Sequence, residues 1–196
     1  MVKRLFDIFF SSIGIIFLLP VFFIVAVIIV FTSKGGVFYI QKRVGKNGID
    51  FSLFKFRTMK TGSDSKGLLT VGGRDSRITR VGYYLRKYKL DELPQLLNVF
   101  LGDMSLVGPR PEVRKYVNLY NEQQRQVLLV KPGITDFASI EFIDENEILG
   151  KSTDPEKTYI VEVMPAKLEL NIKYINNQGL FTDIGIILKT ILKIFR

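Results

Sequence analysis

The segment Leu85-Arg86-Lys87-Tyr88-Lys89-Leu90-Asp91-Glu92-Leu93-Pro94-Gln95-Leu96-Leu97 sets two adjacent carboxylates between a run of cations and an apolar stripe. Leu93, Leu96, Leu97, Phe100 and Leu101 recur at helical spacing, so the pair is followed by an amphipathic helix. Asp91 and Glu92 therefore stand at or beside a helix N-terminus, where backbone N–H groups and the helix dipole attract anions. An acid there often serves only as an N-cap. With Asp91 as Ncap, Pro94 falls at N3 and has no N–H to give, which leaves only Leu93 as a partner. From spacing alone, cap and chemistry stay equally open. Acids, cations and a helix start at one point could together hold a phosphate and a divalent metal.

Composition narrows the chemistry. The 196 residues suffice for one domain with a real core, and a net charge of +9 points to anionic partners such as nucleic acid, acidic lipid or phosphate-bearing substrates. The chain contains neither cysteine nor histidine. That excludes disulfides, thiol chemistry, Ser-His-Asp triads and His-ligated zinc. Acids, bases, nucleophiles and metal ligands must come mainly from Asp and Glu, and the metal matching such oxygen donors is a hard cation such as magnesium.

Upstream, Leu5 to Phe31 is a stretch of 27 residues with one charge, Asp7. As a straight helix it would be about 40 Å long, against a hydrocarbon core of roughly 30 Å. It is too long for a signal-peptide apolar region, and no small-residue cleavage site follows. Lys3 and Arg4 precede it; Lys34, Lys42, Arg43 and Lys46 follow. Basic flanks on both sides favour both ends on the cytoplasmic side. A helix that enters the bilayer, kinks at Pro20 and returns satisfies that, and this re-entrant arrangement is expected over an ordinary tilted span.

Between this segment and the acid pair, Val37–Arg43 and Ile49–Arg57 are rich in β-branched and aromatic residues. They flank Gly45-Lys46-Asn47-Gly48, which predicts a β-hairpin. Phe51, Leu53, Lys55 and Arg57 share one face of the second strand, so Lys55 and Arg57 point either into a pocket or along a lysine-blunted edge. Residues 60–75, with Gly62, Gly67, Gly72 and Gly73, read as a loop long enough to cover a substrate. Arg77 to Lys89 reads as a very basic helix whose cations mostly face solvent or lipid. Arg86 is set apart because it lies about one and a half helical turns before Asp91.

Five segments in order carry a family resemblance. They are Lys55-Phe56-Arg57-Thr58-Met59, Asp75-Ser76-Arg77-Ile78-Thr79-Arg80-Val81-Gly82, Leu90-Asp91-Glu92-Leu93-Pro94-Gln95, Gly102-Asp103-Met104-Ser105-Leu106-Val107-Gly108-Pro109-Arg110-Pro111 and Lys131-Pro132-Gly133-Ile134-Thr135. Together they resemble the bacterial sugar transferases, the monotopic polyprenyl-phosphate phosphoglycosyl transferases, in their minimal form. The resemblance implies an α+β, mainly helical fold. Residues 1–33 would form the re-entrant membrane helix, and residues 34–196 an interfacial catalytic domain with a small β-hairpin and amphipathic helices. The location implied is the cytoplasmic face of the bacterial inner membrane.

The implied reaction moves a phosphosugar from a UDP-sugar to polyprenyl (undecaprenyl) phosphate and releases UMP, the first membrane step of a glycan pathway. The family's acid dyad falls on Asp91, as covalent nucleophile, and Glu92, with Mg2+ bound at Asp91 and Glu92. Arg86 and Arg110 are expected on phosphate oxygens, with Lys55 and Arg57 as further contacts. The chemistry agrees with the composition: carboxylate attack on phosphorus splits one displacement into two, and phosphoryl transfer needs positioning and charge neutralisation more than a histidine. Arg110 lies between Pro109 and Pro111, which stiffen it towards extended geometry; a plain rigid turn is the alternative.

Glu112 to Val130 reads as a helix stopped by Lys131-Pro132-Gly133. Where the family pattern has Gly-Trp, this chain has Asp136-Phe137, so no particular sugar can be carried over. Glu141, Asp144, Glu145 and Glu147 are expected to form a solvated acidic loop. Asp154-Pro155-Glu156 reads as a helix start, and Tyr159–Ile175 as a weak continuation with Pro165 inside. Asp183–Phe195 is apolar on one face, with Lys189, Lys193 and Arg196 beside it. It suits either anionic membrane lipid or the core. No nucleic-acid motif accompanies the positive charge, so nucleic acid is not an expected partner. A non-catalytic basic membrane scaffold is the rival to the enzyme, and self-association is left open.

Overall fold

The computed structural model describes residues 2–63, 67, 69–72 and 75–194. Gly73, Phe195 and Arg196, named above, lie outside them. The apolar N-terminal stretch forms one long helix, α1 (Val2–Thr32), unbroken through Pro20. It is the one described helix long and apolar enough to cross a membrane, and only 11% of its most apolar window is buried. The expected hairpin follows as β1 (Phe38–Val44) and β2 (Asp50–Phe56), antiparallel from Phe38 opposite Phe56 to Val44 opposite Asp50. Its turn works as the Asn-Gly signal requires: Asn47 and Gly48 both have positive φ, 57° and 74°.

The basic helix is shorter than its sequence pattern, α2 (Arg80–Lys87), because Thr79 caps it by accepting from the Gly82 N–H. Lys89, at φ 56°, then reverses the chain into a 3-10 turn over Leu90–Glu92. Helix α3 (Gln95–Leu101) starts only after Pro94. The acid pair thus sits in the turn before α3 and caps nothing. The buried side of α3 is Gln95, Asn98 and Val99, while Phe100 and Leu101 are exposed. Leu96 lies against Gly14 of α1.

The remaining elements wrap this frame. Strands β3 (Ser105–Val107) and β4 (Gly133–Thr135) pair in parallel, a contact invisible in runs of three residues. The long helix expected over Glu112–Val130 is instead a short α4 (Arg114–Val117) and a 3-10 turn over Gln124–Leu129. Asn121 and Gln124 interrupt it, each side chain accepting the other's backbone N–H, a reciprocal cap in mid-segment. Helices α5 (Phe137–Glu141), α6 (Glu145–Gly150), α7 (Pro155–Thr158), α8 (Met164–Asn176) and α9 (Leu180–Ile194) complete the chain. Asp154 caps α7 with Pro155 in its first turn, as its sequence predicts. Pro165 falls in the first turn of α8, and a π-turn over Tyr159–Val163 precedes it. The wider turn meets a proline that has no N–H and whose ring would crowd a regular helix.

Helix α1 is fastened to the rest by polar side chains near its start. Arg4 donates to the carbonyls of Val99 and Phe100 at 2.6 and 2.8 Å, satisfying the end of α3. Asp7 is fully buried and accepts from Ser105 Oγ and the Leu106 N–H, both at 3.0 Å. Lys3 pairs with buried Asp183 of α9, which also accepts from Tyr174 at 2.7 Å. At its other end Val25 and Ile29 pack with Phe56 of β2 and Leu85 of α2. Arg57 donates to Ser33 O at 2.9 Å. Both ends of α1 are therefore bound to the same body. Its opposite face, with Phe17 and Phe31 more than 80% exposed, is an uncovered apolar surface of the kind that suits a membrane.

The β3–β4 junction gives a stability test. A Cβ on Gly133 would stand 2.1 Å from the Gly108 nitrogen, while one on Gly185 of α9 would meet nothing. Gly133→Ala is predicted to cost about 3 kcal/mol or more, as overpacking does. Gly185→Ala should gain about 0.5–1 kcal/mol, as in other helix interiors. Thermal unfolding in detergent checks both signs.

Candidate functional site

The acid pair opens onto a cleft of about 660 Å³ lined by β1, β2, α5 and the ends of α8 and α9. Lys55, Arg57, Arg86, Arg110, Asp91 and Glu92 all border it. Strand β2 delivers Lys55 and Arg57; the reversal at Lys89 delivers the acids; the Pro109-Arg110-Pro111 segment delivers Arg110 beside β3.

The two carboxylates, adjacent in sequence, are not equivalent. Glu92 is gripped from two sides. Arg110 donates through both terminal nitrogens, Nη1 to Oε2 at 3.1 Å and Nη2 to Oε1. Lys55 Nζ donates to Oε1 at 3.1 Å. Asp91 is equally buried, yet among the described residues no cation or N–H is bonded to its carboxylate. Burial pushes the Glu92 carboxyl up, but Arg110 and Lys55 outweigh it and hold Glu92 well below the usual carboxylate range. Burial and the Glu92 charge push Asp91 up, against weaker opposition from Lys55, Arg86 and Lys89. Glu92 in turn raises Arg110. Burial lowers Lys55, with Glu92 opposing.

The other expected cations are placed differently. Arg86 donates to the hydroxyls of Thr58 at 2.9 Å and Thr70 at 3.0 Å, so its guanidinium is steered by two threonines towards the dyad's side of the cleft. Arg57 gives one terminal nitrogen to Ser33 O and Oγ, and its buried Nε has no partner among the described residues. Among the described residues no three acidic, His or Cys side chains converge as a metal cage. Of the two carboxylates, Asp91 is the one with oxygens that a hard cation such as magnesium could take without displacing a bonded cation. Glu92 as a ligand would have to compete with Arg110 and Lys55.

Several residues on or behind the cleft escape a reading of the sequence alone. Asp136 is fully buried, caps α5 through the Ser139 N–H, and accepts the Arg110 N–H at 3.0 Å, so it fixes the arginine's backbone. Glu112 accepts from Arg43 at 3.0 Å and from Tyr159. The alternation Arg110-Pro111-Glu112 along an extended chain could have placed Glu112 on the Arg110 side. Glu145, expected in solvent, is paired with Lys167 at 2.6 Å on the cleft; Glu141, Asp144 and Glu147 are exposed.

The sequence profile of the family described as bacterial sugar transferase matches residues 1–196. A UDP-N-acetylgalactosamine-undecaprenyl-phosphate N-acetylgalactosaminephosphotransferase of Aeromonas hydrophila is 38% identical over 193 residues, which is 97% of this chain and 43% of the relative. An uncharacterized sugar transferase of Bacillus subtilis is 39% identical over 98% of this chain and 86% of its own length. A UDP-glucose:undecaprenyl-phosphate glucose-1-phosphate transferase of Escherichia coli is 35% identical over all of this chain and 40% of its own length. The chain thus spans less than half of the two relatives whose reactions are named.

The asymmetry of the dyad predicts opposite responses to neutralisation. Glu92→Gln leaves two buried cations without their partner and should cost roughly 3–5 kcal/mol at neutral pH. Asp91→Asn removes an unpaired charge and should leave stability unchanged or higher. The pH dependence follows. The Glu92 contribution is complete above its ordinary 4.5 and is lost as pH falls through its depressed folded value. Asp91 is raised, so it disfavours the folded state increasingly as pH rises from 3.8 through its folded value. Unfolding midpoints of both variants and the native protein across pH 3–8 check the signs.

Proposed function

We propose, for a chain that belongs to the bacterial sugar transferase family, that it carries a sugar phosphate from a UDP-sugar to polyprenyl (undecaprenyl) phosphate and releases UMP. The observation that carries the mechanism is the free carboxylate of Asp91 beside a Glu92 already neutralised by Lys55 and Arg110. Asp91 attacks the sugar-bearing phosphorus; the bond to the bridging oxygen breaks, and UMP departs with that oxygen and its electron pair. An anionic oxygen of polyprenyl phosphate then attacks the same phosphorus, the Asp91 O–P bond breaks, and the carboxylate returns. No proton needs to be moved, in keeping with a chain free of histidine.

The remaining groups position and neutralise. Arg110 spends two of its five N–H donors on Glu92 and has others for phosphate oxygens; Lys55 likewise has spare donors. Arg86, held by Thr58 and Thr70, covers the diphosphate from the loop side, and Arg57 guards the mouth next to α1. Asp91 is the residue that would hold magnesium, which would supply charge neutralisation for the leaving group.

The fastening of both ends of α1 to one body supports the monotopic reading, with both ends of the segment on one side of the bilayer, although α1 runs unbroken through Pro20, where the kink for re-entry is expected. A helix of 31 residues is about 46 Å long. Crossing the bilayer would carry one end roughly 30 Å away from the body that holds the other. Residues 1–33 are then the membrane anchor and residues 34–196 the interfacial catalytic domain, on the cytoplasmic face of the bacterial inner membrane. Exposed Tyr84 of α2, Leu101 of α3 and Ile184, Leu188 and Leu192 of α9 extend the lipid-facing surface.

Two experiments test this reading. Detergent-solubilised protein with magnesium, polyprenyl phosphate and a panel of UDP-sugars should release UMP with at least one donor, and Asp91→Asn should lower turnover by a factor of about 10³ or more. Absence of release with every donor would favour a non-catalytic scaffold. In sealed vesicles, Val2→Cys and Ser33→Cys should both react with the same impermeant label from the same side; reaction from opposite sides contradicts re-entry.

A further inference from the structure

Beyond the dyad, the same cleft has a second wall. Glu145 at the start of α6 accepts from Lys167 of α8 at 2.6 Å, and their side chains are only 23% and 13% exposed. The Lys167 ammonium lies 5.6 Å from the centre of the Tyr159 ring. Tyr159 donates its hydroxyl hydrogen to Glu112, which Arg43 also engages. These residues come from separate elements, so no local turn accounts for their convergence. Tyr159 opens the π-turn, an irregularity that recurs at functional sites.

The wall differs chemically from the dyad end. There, Lys55, Arg86, Lys89 and Arg110 face only two carboxylates, a surplus that suits phosphates. Here Arg43 is paired with Glu112 and Lys167 with Glu145, and exposed Lys193 of α9, also on the cleft, has no paired acid among the described residues. Such a wall has little net charge to offer an anion. It presents cationic N–H donors and carboxylate acceptors, the set that hydrogen-bonds a neutral polyhydroxyl ring. It is also contiguous with the dyad. Glu112 is two residues from Arg110, and Glu145 contributes to the field acting on Arg110. In the donor proposed above, the sugar is attached to the reacting phosphorus, and the uridine lies a phosphate further away.

We infer that Glu145 and Lys167, held in place by Tyr159 and Glu112, form the pocket for the sugar ring of the donor and set which sugar is accepted. This rests on the transferase reading. A site built to hydrogen-bond substrate hydroxyls discriminates strongly, because the wrong sugar leaves its buried polar groups unpaired.

The test compares kcat/KM over a panel of UDP-sugars, and inhibition by UMP, for the native protein, Lys167→Gln and the double reversal Glu145→Lys with Lys167→Glu. The reversal keeps the ion pair, so a folding defect in the single variant leaves the question answerable. The native protein should favour one donor. Both variants should lose about tenfold or more on that donor, flatten or change the preference, and keep UMP inhibition within about twofold. Equal losses on all donors, an unchanged preference in both variants, or a parallel loss of UMP inhibition would overturn the assignment; the last would give the wall to the nucleotide. Native protein that turns over no UDP-sugar overturns the transferase reading and this assignment with it. Native turnover with unaltered selectivity overturns the assignment alone.

Discussion

Glu92 takes both of the fixed cations beside the acid pair, Arg110 and Lys55, and Asp91 is left with neither. That division follows from a single reversal of the chain. Lys89 in the left-handed region starts a 3-10 turn, and neighbouring residues in such a turn point to different surroundings. Two acids next to each other in one buried site cannot both be charged without compensation. The compensation goes to Glu92, whose acid range is lowered, while Asp91 keeps open lone pairs facing the cleft. A carboxylate bonded to arginine is a poor nucleophile; an unbonded one held by packing is a better one. The positions of β2, of the proline-framed Arg110 and of Asp136 beneath it all serve that grip.

The same economy governs α1. A helix with an almost wholly apolar surface has little to fix its rotation against a protein surface, because one apolar stripe packs much as another does. Lys3, Arg4 and Asp7 supply directional bonds to α9, α3 and β3, and Asp7 satisfies two donors that would otherwise be buried alone. Arg57 and Ser33 fasten the far end, next to the cleft mouth. The cleft that holds the acid pair and the long apolar helix are therefore built as one unit.

Much of this could be read from the chain because the signals were local. Asn47-Gly48 determined the hairpin, and Asp154-Pro155 started a helix, since each acts through its own backbone angles or its own neighbours. The dyad, and the cations that gather on its cleft, followed from charge order and from the family's motifs. What was not legible depended on distant partners. Gly108 and Gly133 approach backbone to backbone to make a parallel pair too short to show a period. Asn121 and Gln124 broke an expected helix by capping each other. Glu145 looked like one acid in a solvated patch until α8 brought Lys167 to it. The absence of an N-cap at Asp91 arose from Pro94, which moved the start of α3 past the acids.

The most direct measurement is the mass of the protein after brief exposure to its UDP-sugar with magnesium and no acceptor. Covalent catalysis through Asp91 predicts one sugar phosphate added per chain, located on the peptide containing Asp91, matched by one equivalent of UMP and removed on adding polyprenyl phosphate. UMP release that requires the acceptor from the start, with no added mass, would contradict it and show that the acceptor displaces UMP directly.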